Sequence, residues 1–155
     1  MRRSDRQVSG EAMNEILRNA KVARLAMADG DAPYIVPMNF GVEFAEFPTL
    51  YFHCAKEGRK LDILAKNPRV CVCVDGGHRL IEDKEACKFS FAYESVIGDG
   101  VAEIVSDRER KVHALDLIMR HQAGIAGFAF SPESVDAVCV IEVRVTGMTG
   151  KRSMG

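Results

Sequence analysis

No tryptophan occurs among the 155 residues, and aromatic side chains make up only 7%. A planar ligand therefore finds no large indole platform to stack on. An excess of charge is also missing: 21 Lys and Arg stand against 22 Asp and Glu, for a net charge of −1. Nothing draws the chain as a whole to nucleic acid or to a membrane surface. No run of about 18 apolar residues is present, so no membrane-spanning helix is expected. The opening MRRSDRQVSGEAMNEIL has no continuous apolar stretch of the secretory kind, and the five cysteines cannot all pair. The expectation is a cytoplasmic chain with reduced thiols.

Familiar catalytic signatures are missing too. There is no Ser/His/Asp elbow, no P-loop and no GxGxxG. The run GDGVAE at 98–103 lies in a strand-like stretch, not at a strand-to-helix turn. No convergent pair of carboxylates stands out, and no second pair of metal ligands accompanies any candidate, so no metal site is expected. Chemistry, if there is any, has to come from a bound cofactor. An apolar fraction of 47% and a charged fraction of 28% suit one domain over residues 1–155 with a core of its own.

Along the chain, residues 1–8 are polar and stay loose until they dock. Ser9 caps a short helix carrying Met13, Ile16, Leu17 and Ala20 on one face and ending near Asn19. Lys21–Ala28 reads as a strand, DGDAP as a turn and YIVPMNFG as a returning strand. Pro37 marks an edge, a bulge or a break in pairing there, and leaves backbone free for a ligand. The loop VEFAEFP leads to the strand TLYFHCA. A helix over residues 58–66 buries Leu61, Leu64 and Ala65 and stops at Asn67-Pro68. RVCVCVD alternates strictly, with Val70, Val72 and Val74 on one face and Cys71 and Cys73 on the other. Gly76-Gly77 with HRLIEDKEA reads as a turn or loop. CKFSFAYESVIGDGVAEIV is a long strand bent at Gly98 and Gly100. Ser106 and Glu109 form a capping box for a helix to Gln122 with Val112, Leu115, Ile118 and Met119 inward. AGIAGFAFSPES is a flexible connection and AVCVIEVRVTGMTG a last strand. Strands following one another through short turns favour a mainly β fold, a six-stranded antiparallel barrel with peripheral helices, over a doubly wound parallel sheet.

The stretch Tyr34–Lys60 carries the candidate site. Lys56, Arg59 and Lys60 surround a helix start at Gly58. Free backbone N–H groups there suit an anion, and cations at that end oppose the helix dipole until an anion joins them. A solvated helix start is the plain alternative. His53 either bonds a ligand and exchanges protons or is a satisfied structural histidine. Cys71 and Cys73 read as small packing residues. His113 and His121, eight residues apart, are explained as well by exposure as by a metal.

The segments APYIVPMNFG, LYFHCAKEGRKLDILAKNPRVCV, YESVIGDGVAEIV and VTGMTGKRS, in that order, resemble the pyridoxamine 5′-phosphate oxidase-like FMN-binding split barrels. The nearest branch is the nitroimidazole-resistance type, and the resemblance spans roughly residues 2–153. It implies a split barrel of the FMN-binding type and a homodimer with FMN at the subunit interface. Val36, Pro37, Met38 and Asn39 would follow the isoalloxazine edge. His53, Lys56, Gly58 and Lys60, with Arg59, would hold the ribityl phosphate region. Ser95, Val96 and Gly98 would come from a strand near the interface and face the other subunit's flavin. His53 is then the catalytic candidate. Cys54 stands where the resemblance leads one to expect a serine, and no nicotinamide-binding motif names the electron donor. The implied function is an FMN-dependent oxidoreductase acting on a small molecule, with nitroaromatic compounds in view. The alternatives are a flavin or haem carrier without turnover, a deazaflavin user of the same fold, and a homologue that has lost its cofactor.

Overall fold

Residues 4–155 are described by a computed structural model, and among them eight strands and four α-helices follow in order. They are β1 (Gln7–Val8), α1 (Glu11–Asn19), β2 (Val22–Asp29), β3 (Ala32–Asn39), β4 (Gly41–Glu43), β5 (Thr49–Cys54), α2 (Arg59–Lys66), β6 (Arg69–Ile81), β7 (Ser90–Val105), α3 (Arg108–Ala123), α4 (Pro132–Ala137) and β8 (Cys139–Ser153). The strands lie in the order β3-β2-β6-β7-β8-β5-β4, β1 adds to β8, and every pairing is antiparallel. The six expected strands are all there. The short β1 and β4 bring the total to eight, and the path stays open between β3 and β4. No helix among the described residues is long and apolar enough to cross a membrane.

Alternation places the core. Leu25, Val72 and Val143 face inward from three strands and are all but fully buried. Register aligns Val36, Leu25, Val72, Gly98 and Met148 in one row across the sheet. At Gly98 a Cβ would stand 3.2 Å from Val145 Cγ1, so the barrel bends where the side chain is missing. The register shift between Asp99 and Gly100 completes the expected bend. Helix α1 adds Met13, Ile16 and Leu17 to this core, and α2 adds Leu61, Ile63 and Leu64. Each such side chain contributes about 1.5–3 kcal/mol when fully buried. Ile63, not Ala65, is the third buried residue of α2; Ala65 faces solvent.

Several local expectations are corrected. The loose segment at residues 1–8 falls partly outside the described residues; within them Ser4–Arg6 is a 3₁₀ turn and Gln7 and Val8 pair with Lys151 and Gly150. Gly10, not Ser9, occupies the N-cap of α1, without a side-chain cap. Asp107 rather than Ser106 caps α3, its Oδ1 accepting from Arg110 N at 2.8 Å. A carboxylate adds charge to the same geometry at a helix N-terminus. The inward residues of α3 are Ala114 and Ile118, with Leu115 and Leu117 partly covered, whereas Val112 is exposed. The connection before β8 contains α4, capped by Ser131 Oγ accepting from Ser134 N. Gly76-Gly77 is a bulge inside β6, and Arg79, Leu80 and Ile81 continue the strand against Ala92, Phe91 and Ser90. This end of the ladder is a ribbon in which Arg79, Leu80 and Phe91 are all exposed. Of its paired residues only Ala92 is buried, so no apolar alternation announces it.

Helix α3 is tied down at both ends. Glu142, buried on β8, accepts from Arg110 at 2.8 Å and Arg144 at 3.0 Å, and both arginines also reach Glu103. Tyr51 donates to Glu43 at 3.2 Å, and burial, reinforced by Glu43 and Glu142, pushes its hydroxyl up to about 12. At the far end His121 Nε2 meets Ala20 O at 2.7 Å and its ring packs 4.5 Å from Phe40. Burial holds the His121 pKa below its ordinary 6.5; the bond to Ala20 works against this and the Lys21 charge adds to it. The unfolded chain therefore binds more protons than the folded one as pH falls from about 6.5 towards the lowered folded value. Stability contributed by neutral His121 should be complete above that pH and decline below it. Urea midpoints measured from pH 7.5 down to about 5 should fall in the native protein and fall less in His121→Gln; equal slopes would remove His121 as the cause.

Candidate functional site

Strand β5 delivers the basic turn. Phe52 points into the core and is fully buried, so the next residue, His53, faces outward and is exposed. Gly58 has φ +137°, a conformation an L side chain rarely adopts, and it serves as N-cap of α2. It accepts from Leu61 N at 2.9 Å but has no side chain to return a cap. The first N–H groups of α2 are thus left for solvent or a ligand. Arg59 lies 4.5 Å over the Tyr34 ring and 3.6 Å from Asp29, which ties the start of α2 to the β2–β3 hairpin. Lys56 and Lys60 form no ion pair or hydrogen bond among the described residues. Of the three cations foreseen, one is engaged and two are uncommitted.

Strand β3 runs beside this turn. Among the described residues it pairs with β2 alone, so Pro37 sits on an edge strand opposite Arg24, and the outer backbone edge of β3 has no strand partner among them. Val36 and Met38 lean on the core while Pro37 is exposed. Asn39 is exposed as well, yet its amide donates to Lys21 O at 3.0 Å and to Gln122 Oε1 at 3.2 Å. Its side chain helps dock α3.

Ser95, Val96 and Gly98 are placed elsewhere. Two strands, β2 and β6, separate β7 from β3, which at normal strand spacing is roughly 14 Å. Val96 is buried in the core and Gly98 is closed in by Val145 and Val72, so only Ser95, opposite Asp75 and Lys151, offers a partly exposed side chain. One chain brings His53, Lys56, Gly58, Arg59 and Lys60 near Val36–Asn39 and holds the β7 residues apart. Ile97 and Val101, on the outer face of β7, are exposed.

A cleft of about 730 Å³ lies on the outer face of β2, β6 and β7, bordered by Ala28, Arg69, Cys71, Asp99 and Thr146. None of the expected site residues lines it. Its border, drawn from three different strands, sets Ala28 and Cys71 beside single charges from Arg69 and Asp99, which only the fold brings together, and that is why it was missed. Burial pushes the Cys71 and Cys73 thiols up, with Asp99 and Asp75 adding to the effect, so both stay protonated near neutral pH. His113 pairs with Glu43 at 3.4 Å and His121 with Ala20, so these two rings serve different contacts. Asp29 and Tyr34, which hold Arg59, were also missed; their role depends on a contact across the fold.

An open antiparallel barrel with helices packed on its periphery, and with an uncapped cationic helix start beside its edge strand, defines a mainly β protein of the split-barrel class. The chain belongs to the pyridoxamine 5′-phosphate oxidase family, whose model matches residues 9–152. Among solved structures it is similar to a candidate 5-nitroimidazole antibiotic resistance protein of Bacteroides thetaiotaomicron, with 36% identity, a TM-score of 0.83, and 94% of this chain and 86% of that one covered. A FAD- and heme-binding protein of Mycobacterium smegmatis shares the fold at 20% identity and a TM-score of 0.79, over 97% of this chain and 74% of that one. A FAD-binding protein of Mesorhizobium loti shares it at 24% identity and a TM-score of 0.69, over 96% and 97%. A comparison with the curated proteins finds no match.

Proposed function

We propose that this chain binds FMN and acts as a flavin-dependent oxidoreductase, with nitroaromatic compounds of the 5-nitroimidazole kind as its substrate class. The observation that carries the reading is the pair of uncommitted ammonium groups, Lys56 and Lys60, at the uncapped start of α2. A phosphate monoester with nearly two negative charges fits that set of donors. Family membership and the 36% identical relative support the reading.

In this assignment Lys56, Lys60 and the N–H groups after Gly58 hold the phosphate, and Arg59, fixed on Tyr34 and Asp29, shapes the turn. The unpaired edge of Val36, Pro37, Met38 and Asn39 offers backbone N–H and C=O groups to the polar rim of the ring. FMN supplies the electron-transfer chemistry when bound. His53, outward on β5 three residues before Lys56, is the group positioned to exchange a proton with substrate at its imidazole nitrogen. Ser95, with Val96 and Gly98 buried beneath it as its support, is assigned to the partner's site in a homodimer. Their separation from β3 within one chain and the exposed Ile97 and Val101 beside them support that arrangement.

The first test is the visible absorption spectrum of the purified protein before and after FMN is added. Paired flavin bands that shift on binding, followed by bleaching with NAD(P)H and reoxidation by a nitroimidazole, are the expected result. A Soret band would point to haem instead. A colourless protein indifferent to FMN would overturn the assignment.

A further inference from the structure

Cys54 and Cys139 stand directly opposite each other, where the last residue of β5 meets the first of β8. Val145 N donates to Pro48 O at 3.1 Å, one step beyond the Thr49–Arg144 pair. Hydrogen-bonded and non-hydrogen-bonded pairs alternate along an antiparallel ladder. Counting on in twos makes Leu50/Val143, Phe52/Ile141 and then Cys54/Cys139 hydrogen-bonded pairs. Their Cα atoms are about 5.5 Å apart, inside the window of roughly 4.4–6.8 Å that a disulfide spans. Both cysteines are free, and the Cys139 thiol makes a long contact, donating to Val140 O at 3.9 Å. The remaining cysteines have no such geometry. Cys71 and Cys73 lie on one face of one strand with parallel Cβ bonds and Cα atoms about 6.7 Å apart. Cys87 is exposed on the 3₁₀ turn Ala86–Lys88, away from both strands.

We propose that Cys54 and Cys139 form a reversible cross-strand disulfide by exchange with a small disulfide such as oxidised glutathione. Cys54, half-buried, is the entry thiol, and Cys139, only 9% exposed, is the resolving one. The Cys54 thiolate attacks one sulfur of the small disulfide, the S–S bond breaks, and one small thiolate leaves and takes up the proton that Cys54 gave. The Cys139 thiolate then attacks the Cys54 sulfur of the mixed disulfide and expels the second small thiol, which takes the second proton. Two protein thiols are oxidised to one disulfide, one small disulfide is reduced to two thiols, and no proton is gained or lost. Burial raises the Cys54 thiol while the Lys60 ammonium works against it. Exchange therefore quickens as pH rises. The bond pins the end of β5 to the start of β8, two residues before Lys56.

The test is to incubate the reduced full chain with oxidised glutathione at about pH 8, near the ordinary thiol value, then quench, alkylate and map the thiols. Free thiols should fall from five to three with the loss of two hydrogens in mass, and trypsin should release residues 25–56 linked to residues 121–144. Dithiothreitol should restore all five, and the oxidised form should unfold at a higher temperature than the reduced one. Cys139→Ser should lose the link and carry one glutathione on Cys54, whereas Cys54→Ser should lose the link and leave the buried Cys139 unmodified. The mapping on the unmodified chain decides the matter whether or not either variant folds. Five thiols left intact, or a link through Cys71, Cys73 or Cys87, would overturn the proposal.

Discussion

Replacing Lys56 and Lys60 together by alanine should weaken FMN binding at least tenfold and leave riboflavin binding unchanged. A charge-assisted hydrogen bond is worth about 1.5–3 kcal/mol where water is excluded. Lys56 is exposed and Lys60 half-buried, so each is discounted for solvent. The pair together still has to exceed only about 1.4 kcal/mol to give a factor of ten. Riboflavin lacks the phosphate, which makes it the internal control: a loss confined to FMN locates the anion at the turn. Arg59→Ala should behave differently, because its guanidinium is already engaged by Tyr34 and Asp29. Its main effect should be on thermal stability, with a smaller change in FMN affinity. Fluorescence titration of both flavins with the three proteins reads these differences. Unchanged FMN affinity in the double variant would place the phosphate elsewhere, and the cleft beside Arg69 would become the next candidate.

Gly41→Ala should cost stability heavily, by about 3 kcal/mol. A Cβ there would stand 2.6 Å from Ile118 N, 2.7 Å from Leu117 C and 2.9 Å from Ile118 Cα. All three atoms belong to the backbone of α3, so no side chain can swing aside; the helix must lift off β4 as a body. That movement would open the cluster of Tyr51, Ala114, Ile118 and Val140. Gly150→Ala is the comparison. Its Cβ would approach Met13 Cγ at 2.6 Å and Val8 Cγ2 at 2.8 Å, side-chain atoms that can move. The flexible methionine yields most easily, and the cost should be nearer 1 kcal/mol, about the low end for overpacking. Urea unfolding of the two variants orders them. Equal midpoints would contradict the close packing of α3 on β4.

Much of the fold was legible because it is encoded over short distances. The alternation from Val70 to Val74 set a strand and its buried face. Asn67-Pro68 stopped α2, and Gly98 with Gly100 marked a bend. The turn from His53 to Lys60 was legible for the same reason: a glycine start, three cations and a histidine lie within eight residues. Elements without a local pattern were misread. The ribbon beyond Gly77 buries Ala92 alone among its paired residues and so shows no period, and α4 sits in a segment whose composition suggests a connection. The cap of α3 shifted by one residue because Ser106 and Asp107 both offer a capping oxygen, and only the final backbone path selects between them.

The sequence by itself determined that this is a mainly β chain with a cationic helix start, since periods of two, helix stops and glycine positions are properties of neighbouring residues. Tertiary structure alone decided which of the three cations is uncommitted, that Asn39 is occupied in docking α3, and that Ser95, Val96 and Gly98 lie away from β3. It also set Cys54 against Cys139, 85 positions apart. Such pairings are fixed by strand order and register, which are settled by packing of the whole core and leave no mark in the pattern of any one segment.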